Sequence, residues 1–380
     1  MKSKLPDIGT TIFTVMSKMA ADYGAINLSQ GFPDFDCPDR LRELVAQHLN
    51  GRKNQYPPMA GILPLREEIA AKVQTLYGAK VCPENEVTVT SGATEAIFDA
   101  IQATVGRGDE VILFDPAYDC YDPAIRLAGA VPVRLPLTSP TYEIDFAALA
   151  SAITPRTRMV MINSPHNPCG SVLTREALDK LAATIRGHDI VVLSDEVYEH
   201  MVFDGQGHAS VLGHDELRDK SFAVFSFGKT YHATGWKLAY CIAPAGFTAE
   251  FRKVHQFVTF TSVSFLQYAL ADYMRECPQH ATQLSSFYQA KRDRFCELLA
   301  PSRFRFTPSA GTYFQLADYS ALSDEDDMSF VTRVTREHGV AAIPLSPFFA
   351  SPQPESRIIR FCFCKEDATL AAAAEKLCAL

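Results

Sequence analysis

Phe222-Ala223-Val224-Phe225-Ser226-Phe227-Gly228-Lys229-Thr230-Tyr231-His232-Ala233-Thr234-Gly235-Trp236-Lys237 is the stretch from which the rest of the chain can be read. It starts as a continuous apolar run and breaks into a serine, a glycine and a lysine, with a second lysine eight residues on. An apolar run without polar alternation suits a strand buried on both faces, and hence a mostly parallel sheet held between helices. In such a sheet ligands gather beyond the carboxyl ends of the strands, where Ser226 and Lys229 stand.

Similar runs recur upstream and downstream. Residues 86–90, 111–114, 131–135, 159–162, 190–193 and 238–242 have the same apolar character, giving seven strand candidates with residues 222–225. Helical spacing occupies residues 39–49, 63–77, 93–105 and 174–185, with a shorter helix near 123–127 and Thr174 at a capping position. The alternation predicts an α/β fold with a mostly parallel seven-stranded sheet between helices. After about residue 286 the pattern changes. A polar helix over 288–299 leads into short strands near 312–316 and 358–363, which reads as a smaller α+β domain. Residues 5–40 read as irregular and rich in turn formers. The division is therefore an arm with part of the small domain over 1–40, a large domain over 41–285 and a small domain over 286–380.

Composition excludes several classes. The chain has 380 residues, 47% hydrophobic and 21% charged, with net charge −8, as expected of a globular protein without a nucleic-acid or anionic-membrane surface. No apolar stretch approaches the roughly 20 residues that span a bilayer, and residues 1–13 lack an apolar signal core. Ten cysteines without a C-x-x-C pair fit a reducing, cytoplasmic setting. Cys362 and Cys364 alternate on one run, so both thiols should face the same way, and no metal site is expected. The ten histidines form no H-E-x-x-H pattern and read as surface or core.

Chemistry collects at the strand ends. Residues 87–90 run into Ser91-Gly92-Ala93-Thr94-Glu95, a small polar turn opening a helix. Such a turn offers free N–H groups to a phosphate, or is an ordinary capped helix. No G-x-G-x-x-G and no G-x-x-x-x-G-K-[ST] is present, which disfavours dinucleotide and nucleoside-triphosphate sites. The strand at 159–162 ends in Asn163-Ser164-Pro165-His166-Asn167-Pro168-Cys169-Gly170, and that at 190–193 in Ser194-Asp195-Glu196-Val197-Tyr198. A carboxylate straight after four apolar residues needs a cationic partner, either a protonated pyridine nitrogen or a structural arginine.

These motifs together resemble the class I/II aminotransferases of fold type I, from about Leu5 to the C-terminus. The carrying residues are Ser91 to Glu95, Asn167-Pro168-x-Gly170, Asp195-Glu196-Val197-Tyr198, Ser226-x-x-Lys229 with Lys237, and Arg360-Phe361. Through Thr10-Thr11-Ile12-Phe13, Ser29-Gln30-Gly31-Phe32-Pro33-Asp34-Phe35 and Lys229 to Lys237, the chain resembles the kynurenine/glutamine aminotransferase branch, and especially the bacterial methionine aminotransferases.

The resemblance implies pyridoxal 5′-phosphate as cofactor. Lys229 would hold it as a Schiff base and carry the proton in transamination. Asp195 would keep the ring nitrogen protonated, Asn167 and Tyr198 would bind the phenolic oxygen, and Tyr118 would stack on the ring. Gly92, Ala93, Thr94, Ser226 and Lys237 would hold the phosphate, joined by Tyr56 from a second subunit, so a homodimer is implied. Arg360 would grip the substrate α-carboxylate, helped by Gly31 and Asn167; read alone, Arg360 has a structural ion pair as its alternative. Ile12 and Phe13 are candidates for the substrate pocket or for the core. Residues 255–265 contain no arginine and three phenylalanines, which favours an apolar, aromatic or sulfur-containing donor. Val263 and Phe265 depart from the pattern there, where Asn and Pro would be expected. The reading is an aminotransferase passing the amino group of a methionine-like L-amino acid to a 2-oxo acid; the alternative is a cysteine-conjugate β-lyase using the same residues.

Overall fold

The computed structural model describes residues 2–351, 353 and 355–380. The chain enters through a helix over Ile12–Asp22 and a short strand β1 (Ile26–Asn27). The central sheet follows as β2 (Val87–Thr90), β3 (Glu110–Asp115), β4 (Val131–Pro136), β5 (Thr157–Asn163), β6 (Val191–Asp195), β7 (Ser221–Ser226) and β8 (Ala239–Ile242). All seven sequence-derived strands form, in the order β2-β8-β7-β6-β5-β3-β4. Only β8 runs antiparallel to its neighbours, against both β2 and β7. The continuous apolar runs are explained by burial: β2, β3, β7 and β8 are buried along most or all of their length, whereas β4, at the sheet edge, is only partly so.

Register fixes where the strand ends meet. Asn163 pairs with Asp195 across β5 and β6, and Asp195 with Val224 across β6 and β7. Ser226 pairs with Ala239, which also pairs with Thr90. The antiparallel β8 therefore brings its own start, with Lys237 just before it, to the edge where β2 and β7 finish. The turn after β2, Asn163, Asp195, Ser226 and Lys237 share that edge for this reason.

The C-terminal part adds β9 (Phe314–Asp318), β10 (Val340–Ala341), β11 (Ile343–Pro344) and β12 (Ile358–Cys362). A separate antiparallel sheet has the order β11-β12-β9, and β10 pairs in parallel with β1. The Cys362 N–H donates to Leu28 O. The first thirty residues are thus tied to the C-terminal strands.

Two expectations need correction. Residues 5–40 are not irregular throughout, because Ile12–Asp22 is helical, capped by the Thr11 hydroxyl accepting from Thr14 N–H. Its β-branched start (Thr11, Ile12, Thr14, Val15) hides the helix from propensity, and burial of Met16 and Ala20 supplies what propensity lacks. The helix expected over 288–299 begins at Gln279. Within residues 255–265 the helix Ala245–Val258 ends and Ser264–Glu276 begins. Among the described residues no helix is long and apolar enough to cross a membrane.

Candidate active site

A cavity of about 530 Å³ opens at the shared strand edge. Gly31, Gly92, Ala93, Thr94, Tyr118, Asn167, Asp195, Tyr198, Ser226, Lys229, Lys237, Arg360 and Phe13 all line it. Two expected residues do not. Ile12 packs on the core beside the cavity, one position off the face that Phe13 presents. Tyr56 is 84% exposed on the surface, its ring edge-on to Phe260 at 5.5 Å between centroids.

Lys229 sits one turn past β7 in the short helix Phe227–Thr230. Its Nζ donates to Tyr313 Oη at 2.8 Å and to Gly31 O at 3.2 Å. Neither partner is charged. Burial, opposed in part by the thiols of Cys364 and Cys362 and reinforced by Lys237 and Arg360, lowers its pKa to about 8. A sizeable neutral fraction therefore exists near physiological pH, as a nucleophilic amine requires.

Asp195 is buried at the end of β6. One carboxylate oxygen accepts from Tyr121 Oη at 2.6 Å, and the other from Val197 N–H at 3.3 Å. Burial raises its pKa to about 6, with these two hydrogen bonds working the other way. No arginine pairs with it among the described residues, so the structural alternative for this carboxylate is not what the fold provides.

Arg360 is fully buried in β12. Nη1 donates to Asn167 Oδ1 at 2.6 Å and Nη2 to Ser29 O at 2.9 Å, while Nε has no partner. The guanidinium lies 3.8 Å from the Phe314 ring centroid. No carboxylate forms an ion pair with it among the described residues, so it too lacks the structural partner considered above. Asn167 is placed by Asn163, whose Oδ1 accepts from the Asn167 N–H at 2.8 Å and whose Nδ2 donates to Asp195 O at the same distance. Because Asn167 Oδ1 is engaged by Arg360, its Nδ2 is the group left to donate into the cavity.

One corner of the cavity lies at the start of the helix Ala93–Thr104. Gly92 has φ +92°, and a Cβ there would come within 3.0 Å of Lys237 Cε and Nζ. Glycine is thus required twice over, for the backbone and for the lysine's approach. Glu95 reaches back to accept from Ser91 N–H and fixes the turn.

Sequence reasoning missed four residues near this site. Tyr313 reaches Lys229 across 84 positions, and no local signal marks it. Asn163 stands at a strand end among the quoted residues without a role. Asp119 follows Tyr118 and also lines the cavity. His255 is not simply core: its Nδ1 lies 2.6 Å from Glu95 and 3.5 Å from Asp99, and its Nε2 lies 3.0 Å from Met59 O. Burial opposes the charged imidazole, but the carboxylates of Asp99 and Glu95 outweigh it and raise its pKa to about 9. With both ring nitrogens so engaged, this trio is a buried ion pair network and not a metal site, despite its three convergent ligand atoms. The i, i+4 pair Glu95 and Asp99 was the available signal. The expected alignment of Cys362 and Cys364 does hold, with their Sγ atoms 3.1 Å apart.

Residues 23–377 match the family described as aminotransferase class I and II. The chain belongs to that family. It is 52% identical over 376 residues to the methionine aminotransferase of Escherichia coli K12, covering 99% of this chain and 97% of that protein. It is 34% identical to kynurenine–oxoglutarate transaminase 1 of Rattus norvegicus, covering 98% and 96%. A solved Escherichia coli structure described as having a methionine aminotransferase function superposes with a TM-score of 0.98, at 52% identity, over 100% of this chain and 99% of that one. This aminotransferase works through pyridoxal 5′-phosphate, as class I and II enzymes do.

Proposed function

We propose that this aminotransferase takes methionine or a similar apolar, aromatic or sulfur-containing L-amino acid as donor and a 2-oxo acid as acceptor, in the cytoplasm. The observation that carries the reading is the charge layout of the cavity. Among the described residues, a buried carboxylate that forms no ion pair (Asp195) and a buried guanidinium that forms none (Arg360) flank a lysine of lowered pKa. Each unpaired charge is costly alone and is relieved by a ligand carrying the opposite charge at that place.

The residues suit pyridoxal phosphate on these grounds. Asp195 would face the ring nitrogen and hold its proton. Asn167 Nδ2 and Tyr198 would donate to the phenolic oxygen, and Tyr118 would cover one face of the ring. The N–H groups of Gly92, Ala93 and Thr94, with Ser226 and Lys237, would take the phosphate at the positive end of the helix dipole. The bound cofactor supplies an electron sink that lets the substrate Cα–H ionise. Lys229 would take that proton from Cα and return one, acting as base and then acid. Its neighbours Tyr313 and Gly31 O direct its Nζ by the two hydrogen bonds it already makes. Arg360 has five N–H groups and spends two on Asn167 and Ser29, which leaves three for an α-carboxylate. The Gly31 backbone stands beside it.

Support for an apolar donor comes from Phe13, Tyr118 and Phe314 on the cavity wall and from the methionine aminotransferase relative. Support for a homodimer with shared sites comes from an exposed apolar group, Tyr56 (84%), Phe257 (86%), Phe260 (47%) and Val263 (46%), larger than isolated surface residues explain. Tyr56 would reach the partner's phosphate from there. The proposed organisation is an arm and part of the small domain over 1–40, a large domain over 41–285 and a small domain over 286–380. The relatives are aminotransferases, and the β-lyase alternative draws no support from them. A panel of amino acids against several 2-oxo acids tests the proposal. Methionine should rank among the best donors, strictly dependent on an oxo acid. Pyruvate and ammonia released from a cysteine conjugate without oxo acid, and no turnover of methionine, would refute it.

A further inference from the structure

Five charged side chains line the cavity: Asp119, Asp195, Lys229, Lys237 and Arg360. Under the function proposed above, on which this inference rests, four of them have a counterpart. Lys229, Asp195 and Lys237 are satisfied by the cofactor, and Arg360 by the substrate α-carboxylate. Asp119 is left over.

Asp119 belongs to the turn between β3 and the helix Tyr121–Leu127, directly after the ring-covering Tyr118. It is half-buried. Its carboxylate forms no ion pair and no side-chain hydrogen bond among the described residues; the group that most stabilises its charge is Arg360, which the substrate α-carboxylate would engage, followed by the backbone N–H groups of Asp119 and Cys120. Burial outweighs them and raises its pKa. A carboxylate held this way keeps a negative field in the cavity, with little water to screen it. Phe13, Thr11, Thr14 and Gln30 share the cavity with it and are neutral, and the cavity's cations, Lys229, Lys237 and Arg360, are those that the cofactor and the α-carboxylate would engage.

We infer that Asp119 is a specificity-determining residue that turns away substrates carrying a second carboxylate. A donor or acceptor held by Arg360 through its α-carboxylate must place its side chain in the same cavity as Asp119. A neutral side chain, methionine-like or aromatic, meets no charge penalty there. The side-chain carboxylate of glutamate, aspartate or a dicarboxylic oxo acid meets a like charge in a poorly solvated space, which is a repulsive specificity device in addition to the missing arginine. The preference for neutral donors then has a positive cause within this subunit.

The experiment uses the cofactor-loaded enzyme and two readouts. In Asp119→Asn, the ratio of kcat/KM for glutamate to that for methionine should rise by about tenfold or more, carried mainly by KM; Asp119→Glu, which restores the charge, should keep the wild-type ratio. Without turnover, the dissociation constants of maleate and butyrate, read from the cofactor's absorbance, should be similar in the wild type. Maleate alone should tighten by about tenfold in Asp119→Asn. An unchanged glutamate-to-methionine ratio, or wild-type binding of maleate tenfold tighter than butyrate, overturns the inference. The maleate comparison needs no mutant, so an unstable variant leaves it standing. If no amino acid is turned over, the proposed function fails while the binding comparison still reads Asp119.

Discussion

Replacing Arg360 with Met separates a substrate-binding arginine from a structural one, because the two roles give opposite signs in two assays. Arg360 is fully buried, donates to two neutral acceptors and, among the described residues, leaves Nε unpartnered and forms no ion pair. In the cofactor-free protein, losing two hydrogen bonds from a charged donor costs about 1.5–3 kcal/mol each. Against this stands relief of a desolvated cation without an anion, worth several kcal/mol. The two nearly cancel, or leave the variant about 1–2 kcal/mol more stable. Melting entropy for a chain of this length is on the order of 0.8 kcal/mol per kelvin, so the cofactor-free Tm should stay level or rise by about 2 °C. Breaking a structural buried pair would instead cost about 3–5 kcal/mol and lower Tm by about 4–6 °C. With substrate, two charge-assisted hydrogen bonds to the carboxylate disappear, together about 3–6 kcal/mol. On that basis kcat/KM for methionine should fall by roughly 10²–10⁴, while a primary amine lacking the carboxylate should react no worse than with wild type. Calorimetry and steady-state kinetics read the two arms. A Tm lower by more than 4 °C, with kcat/KM reduced less than tenfold, would refute the reasoning.

Cofactor uptake by the cofactor-free enzyme should accelerate as pH rises through about 8, since the lowered pKa of Lys229 makes its amine neutral there; stopped-flow absorbance measures this, and a rate still rising tenfold per unit above pH 9 would contradict it. Gly92→Ala puts a methyl group against Lys237 at φ +92°, and equilibrium dialysis should show pyridoxal phosphate bound at least about tenfold more weakly. In His255→Gln the carboxylates of Glu95 and Asp99 lose their cation. Because His255 is raised to about 9, the stability it contributes is complete below about pH 6.5 and is lost as pH rises through 9, roughly 3 kcal/mol in all. The Tm gap between wild type and variant should therefore be widest near pH 6 and close above pH 9; a gap that widens with pH would exclude the charged-histidine account.

The large sheet was legible because its strands are buried on both faces and so must be continuously apolar, from Val87 to Ile242. Polar residues straight after those strands, Asn167, Asp195 and Lys229, were legible as a site because a parallel sheet brings such ends to one edge. What the sequence hid depends on contacts between distant segments. The Ile12–Asp22 helix is stabilised by burying Met16 and Ala20, while its local propensity argues against it. Tyr313 is an ordinary strand aromatic until the fold lays it on Lys229. His255 is one of ten histidines until the helix Ala245–Val258 sets it against Glu95 and Asp99. Ile12 and Phe13 could not be told apart in sequence, since one residue's rotation on a helix decides which of them faces the cavity.

The central claim is that Lys229 is the residue that holds the cofactor. Borohydride reduction of the pyridoxal-phosphate-loaded enzyme, followed by peptide mass spectrometry, tests it most directly. The account predicts one reduced pyridoxyl group per chain, on the peptide containing Lys229, with none on Lys237. Label spread over exposed lysines, or full labelling in Lys229→Ala, would contradict it.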